Sequence, residues 1–139
     1  MIVLDTSGLL AAIDSSQRLH AAAAAAIRAA TTPLLLSPFV LAELDHLISS
    51  RVSSRAATAL LDQVADGAYR LEPMGPDDVA RASEIIGRYR DLELGLADAS
   101  VVVLAERHGA HDILTLDERH FRAVAGPGGR PFRLLPADA

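Results

Sequence analysis

Cysteine is absent from this chain, which excludes disulfide staples and thiolate metal sites and leaves oxygen and imidazole as the only metal-ligating chemistries. Lysine is absent too, since all 13 basic residues are arginine. That removes the lysine of a phosphate-binding P-loop and any Schiff-base mechanism. Long apolar runs are also missing. Stretches such as AAAAAAI and VVVLA fall far short of the ~18 to 20 residues needed to span a bilayer. Asp5 interrupts the first apolar stretch after four residues, so the amino terminus does not read as a signal peptide. The expectation is a soluble cytoplasmic protein with no membrane partner.

A basic excess is lacking as well. The formal net charge is −5, which argues against a general nucleic-acid coat protein. That balance misleads if acids are concentrated at one site, because setting four of them aside leaves a nearly neutral remainder rich in arginine.

What is present is an alternation of short apolar strands and helices over 139 residues, a length that suits one domain, residues 1–139, with a real core. The segments IVLD, LLLS, YRLEP, DILTLD and PFRLL read as strands. Helices are expected at SGLLAAI, along the alanine-rich QRLHAAAAAAIRAA, from Pro38 through FVLAELDHLISS, at SSRAATALLDQVADG and from Pro76 through GPDDVARASEIIGRYR. GLADASVVVLAERHG has the β-branched centre of a strand, but its length and Gly109 as a stop favour a helix. ERHF makes a short helical turn. GPGGR precedes a strand rather than a helix and so reads as a connector, not a phosphate loop. Such alternation implies an α/β fold with a mainly parallel sheet covered on both faces.

In open α/β sheets, functional groups gather beyond the carboxyl ends of the strands. Asp5 closes the first strand and Asp117 follows the fourth. Glu43 and Asp98 lie within unusually apolar helices, where an acid is costly unless paired. Each has a local explanation. Asp5 with Thr6 and Ser7 suits a helix cap, Asp98 a first-turn acid, Asp117 a cap for ERHF, and Glu43 a side chain reaching out to solvent. Four acids at corresponding edges of one expected sheet strain those separate accounts. Hard carboxylate oxygens suit Mg²⁺ or Mn²⁺, and such a cation assists phosphodiester hydrolysis. The five histidines, His20, His46, His108, His111 and His120, share no ligand spacing, which argues against zinc. Asp112 stands at the wrong end of the fourth strand to share a metal with Asp117, and Asp77 and Asp78 read as helix-start acids. The arginines of SSRVSSR suit either RNA phosphates or a solvated helix face.

The apolar strand ending in DTS, a Glu in an apolar helix at position 43, then LADA and TLDERHF resemble, in that order, the PIN-domain nucleases. The compact length and DSSQRLHAAA are similar to the VapC toxins of bacterial toxin–antitoxin pairs. The resemblance implies a three-layer α/β/α sandwich and an acidic quartet of Asp5, Glu43, Asp98 and Asp117. Asp5 and Asp98 would ligate the metal directly, with Glu43 and Asp117 completing the shell or orienting the attacking water. Ser7, and with it Thr6 and Thr115, would stand beside the site as orienting groups. The resemblance further implies an RNA substrate, a VapB-like antitoxin partner and a homodimer. Two other readings compete. An aspartyl phosphotransferase would need an aspartate where Ser7 stands, and a lysine. A non-catalytic protein-binding module of the same fold has no reason to keep mutually repelling acids.

Overall fold

The computed structural model describes residues 1–139. Five strands form one parallel sheet: β1 (Ile2–Leu4), β2 (Leu34–Leu36), β3 (Arg70–Leu71), β4 (Asp112–Leu114) and β5 (Arg133–Leu135), in the order β3-β2-β1-β4-β5. Seven α-helices connect them: α1 (Thr6–Ile13), α2 (His20–Ala29), α3 (Pro38–Arg51), α4 (Ser54–Ala65), α5 (Pro76–Arg88), α6 (Leu96–His108) and α7 (Glu118–Phe121). Val3 and Leu4 pair with Ile113 and Leu114 across the centre of the sheet, and Leu114 pairs in turn with Leu135. Successive strand residues point to opposite faces. Val3, Leu4, Leu35, Leu36, Ile113 and Leu114 are all buried, so both faces are covered by helices, which is the expected three-layer sandwich.

Local chemistry accounts for most boundaries. Ser37 caps α3, its hydroxyl accepting from the Phe39 and Val40 N–H groups, and Pro38 occupies the first helical position, where its missing donor costs nothing. Ser53 caps α4 in the same way through the Ala56 N–H. Gly109 ends α6 at φ 62°, a left-handed conformation that glycine adopts without strain. The valine-rich centre of α6 is explained by burial on every side: Ala99 through Ala105 are all buried, as expected for a helix enclosed by its neighbours. β3 is the weakest element, a two-residue edge strand with both residues exposed.

The chain lays β1, β2 and β3 outward in one direction and then returns to place β4 and β5 on the other side of β1. The order reverses between β1 and β4, and that is where a parallel α/β sheet opens a crevice beyond its carboxyl ends. Gly8 brings α1 against this point, since a Cβ there would run into the Leu114 carbonyl. Phe121 and Phe132 dock α7 beside it through an edge-to-face contact with ring centroids 6.5 Å apart.

Candidate active site

Asp5 follows β1 at the N-cap position of α1, yet its side chain makes no capping hydrogen bond. The carboxylate turns instead toward the end of β4. Its Oδ2 accepts hydrogen bonds from Thr115 Oγ1 at 2.6 Å and Ser7 Oγ at 2.9 Å. Both hydroxyls are held from behind by backbone, Ser7 Oγ accepting from Leu116 N–H and Thr115 Oγ1 from Asp117 N–H, each at 2.9 Å. Ser7 and Thr115 therefore tie the segment after β4 to the carboxylate after β1. The hydroxyl of Thr6 is buried without a partner and stands outside this network.

Asp5 is only 2% exposed, and its second oxygen, Oδ1, is buried with no hydrogen-bond partner. Burial pushes the Asp5 carboxyl up to about 6, against the opposing hydrogen bonds from Thr115 and Ser7, and the nearby charge of Asp98 adds to the rise. A cation at the free oxygen would offset the cost of burying that charge.

Asp98 lies in the first turn of α6, with Oδ2 accepting from the Gly95 N–H at 3.1 Å. Asp117 caps α7, with Oδ1 accepting from the His120 N–H at 3.0 Å. The local capping accounts of these two acids are thus correct, and the acids still converge. Ligand atoms of Asp98, Asp117 and His120 lie within 4.8 Å of one another. His120 Nδ1 stands 2.6 Å from Asp117 Oδ2 and 4.0 Å from Asp98 Oδ2.

Two expectations need correction. Glu43, expected to be embedded in apolar surroundings, is exposed and has no place in the close cluster. The buried stripe of α3 runs through Val40, Leu44 and Ile48, and Glu43 falls outside it despite its apolar sequence neighbours. The second correction concerns histidine. Four of the five stand apart from the acids, but His120 is part of the constellation. Its spacing from Asp117 was the available signal: a helix cap and the residue three positions on share one side of a first turn.

The PIN-domain family pattern matches residues 2–127, and the chain belongs to that family. Over 97% of its length, and the whole of the relative's, it is 42% identical to ribonuclease VapC26 of Mycobacterium tuberculosis. Among solved structures it is similar to Mycobacterium tuberculosis VapC20, described as a sarcin–ricin loop cleaving toxin, with a TM-score of 0.80 and 23% identity. That likeness covers 85% of this chain and 91% of the other. It is also similar to VapBC2 of Rickettsia felis, solved bound to a promoter DNA fragment, with a TM-score of 0.68 and 16% identity over 96% of this chain and 98% of the other. At these identities the two structures establish the fold alone.

Proposed function

We propose that the protein is a Mg²⁺-dependent endoribonuclease toxin of a VapBC-type pair, with Mn²⁺ able to substitute, whose activity arrests growth until a VapB-like antitoxin covers the site. The observation that carries this reading is a buried aspartate with a free oxygen, Asp5, at the reversal point of a parallel sheet, beside the converging carboxylates of Asp98 and Asp117. Sequence identity of 42% to a ribonuclease over nearly the full chain supports it.

The donors fit a hard divalent cation, because carboxylate oxygens dominate the set. Asp5 and Asp98 would hold it directly, Asp117 would complete the shell, and Glu43, exposed on α3, would orient the attacking water. When bound, such a cation supplies charge that stabilises a phosphodiester under attack and eases deprotonation of water. The chain's own groups do the positioning. Ser7 and Thr115 fix Asp5 by hydrogen bonds to one oxygen and leave the other without a partner. Arginines 18, 51, 55 and 119, which have no acidic partner, are available to RNA phosphates. The partners in this reading are RNA, the antitoxin and a second copy of the chain.

The test is cleavage of structured RNA by the purified protein with Mg²⁺, Mn²⁺ or EDTA, followed by sequencing of RNA 5′ ends after brief expression, with Asp5→Asn as the control. Cleavage that depends on Mg²⁺ or Mn²⁺ and is lost in Asp5→Asn is expected. Full activity in EDTA, or unaltered toxicity of the variant, would overturn the reading.

A further inference from the structure

Carboxylate oxygens from well-separated elements are what a hard cation needs, and they discriminate poorly between Mg²⁺ and Mn²⁺. His120 changes the donor set. Its ring is buried to all but 16% of its side-chain surface, and neither ring nitrogen has an aligned hydrogen-bond partner. Nδ1 nevertheless points among oxygens, 2.6 Å from Asp117 Oδ2 and 4.0 Å from Asp98 Oδ2. Ligand atoms on an octahedral ion with bonds of about 2.1 Å lie about 3 Å apart when adjacent and about 4.2 Å apart when opposite. The 4.0 Å separation is close to the second value, and the 2.6 Å separation is shorter than the first, so Nδ1 and Asp117 Oδ2 would part by a few tenths of an ångström to share one ion. The other histidines have occupations of their own: His20 Nδ1 contacts the Ala11 carbonyl, His111 Nε2 the Pro127 carbonyl, and His108 Nε2 faces Glu72.

We infer that His120 ligates the catalytic cation directly through Nδ1, beside Asp98 and Asp117, and thereby tilts the site toward Mn²⁺ over Mg²⁺. The inference rests on the metal-dependent reading above. A second, independent observation supports a ligand at this end of the sheet: Asp5 Oδ1, on a residue 2% exposed beyond β1, has no partner. Imidazole is a softer donor than carboxylate, and first-row transition metals gain from it where Mg²⁺ does not. Asp117 serves both roles without conflict, because Oδ1 takes the His120 N–H while Oδ2 faces Nδ1. The short helix α7 delivers both ligands from one turn.

Mn²⁺ itself is the probe. In the Mn²⁺-loaded full-length protein, pulsed electron paramagnetic resonance should detect a directly bonded ¹⁴N nucleus. The coupling should vanish in His120→Gln and in His120→Asn, which keep the backbone donor to Asp117. Titration calorimetry should show Mn²⁺ affinity falling about tenfold or more in both variants, with Mg²⁺ affinity changing far less. Bound Mn²⁺ without nitrogen coupling in the wild-type protein would overturn the assignment of His120 while leaving the nuclease reading intact, and it needs no variant to fold. Failure of the wild-type protein to bind either cation would bring down both readings together.

Discussion

β4 carries an aspartate at each end, and the two live differently. Asp112, at its start, pairs with Arg133 at 3.2 Å in a solvated bridge. Asp117, beyond its end, has no arginine and faces Asp98 and His120. The contrast extends over the molecule. Arg81 holds Glu84 and Glu106, Arg107 holds Asp78, and Arg122 holds Glu118 and Asp138. Asp5 and Asp98 have no arginine within ion-pair distance either. A chain with 13 arginines has therefore left unneutralised the acids at the sheet's reversal point. Asp112 is balanced by a cation the protein supplies, and in the proposed reading Asp5, Asp98 and Asp117 take one that it does not.

The largest difference between the two groups is expected in activity. Asp98→Asn and Asp117→Asn should each lower RNA cleavage by about 100-fold or more, as expected on removing a group that stabilises charge in the transition state. Asp112→Asn should leave it unchanged. Equal losses at both ends of β4, measured as initial rates at saturating Mg²⁺, would erase the distinction.

Next in size is the pH response of Asp5 in the metal-free protein. Its folded carboxyl lies at about 6 against an ordinary value of 3.8, so between these the folded state binds more protons than the unfolded. This group's contribution is fully present below pH 4 and is lost as pH rises through 6, a change of up to about 3 kcal/mol. Asp138 runs the other way. Arg122 and the Leu134 N–H hold it down at about 2, so its contribution is lost only in stronger acid, as pH falls from the ordinary carboxylate range toward 2. Denaturant melts in EDTA from pH 4 to 7.5 should show a slope in the wild-type protein that flattens in Asp5→Asn. The slope is the readout, since an asparagine also changes the hydrogen bonding at Oδ1. An unchanged slope would mean that Asp5 is an ordinary acid.

Three of the acids were legible because strand ends and helix starts can be read from apolar runs and their punctuation. Asp5 closes IVL, Asp117 closes the fourth strand, and Asp98 follows a glycine at a helix start. Their convergence needed only a parallel sheet, which the alternation of short strands and helices implied. His120 was not legible on composition or spacing of histidines, because its position depends on the Phe121–Phe132 contact that docks α7, a packing between residues eleven apart. Glu43 was misjudged for a related reason. Its neighbours Ala42 and Leu44 are apolar, but only Leu44 lies on the buried stripe, while Ala42 is exposed like Glu43. The valine run of α6 pulled toward a strand by propensity, and enclosure on all sides overrode it.

Metal binding should separate the two classes of acid by a smaller margin. A cation that binds only the folded state stabilises by RT ln(1 + [L]/Kd), about 2.7 kcal/mol at a hundred times Kd. Millimolar Mn²⁺ at fixed ionic strength should raise the wild-type melting temperature by several degrees. The rise should shrink in Asp98→Asn and persist in Asp112→Asn. A full rise in Asp98→Asn would place the cation elsewhere.

The smallest effect expected is at the paired end itself. The Asp112–Arg133 bridge joins β4 to β5 at their starts, but Arg133 is about half exposed. Water screens such a pair, and fixing a long side chain costs entropy, so Asp112→Asn should cost no more than about 1 kcal/mol. The loss should diminish further in 1 M NaCl, where the screening length falls to about 3 Å. Asp117→Asn, beyond the other end of the strand, should respond to salt in the opposite sense. Neutralising it relieves repulsion with Asp98 in the metal-free protein, a gain that salt reduces because salt already screens that repulsion in the wild type. Equilibrium melts of the two variants at 0.05 and 1 M NaCl in EDTA therefore form one test. A stabilised Asp117→Asn beside a mildly destabilised Asp112→Asn, both differences shrinking with salt, is the expected pattern. Two destabilised variants would mean that the contacts of Asp117 with His120, the capping bond from its N–H and the 2.6 Å approach of Nδ1, outweigh the repulsion with Asp98, and that the two ends of β4 are built on the same terms.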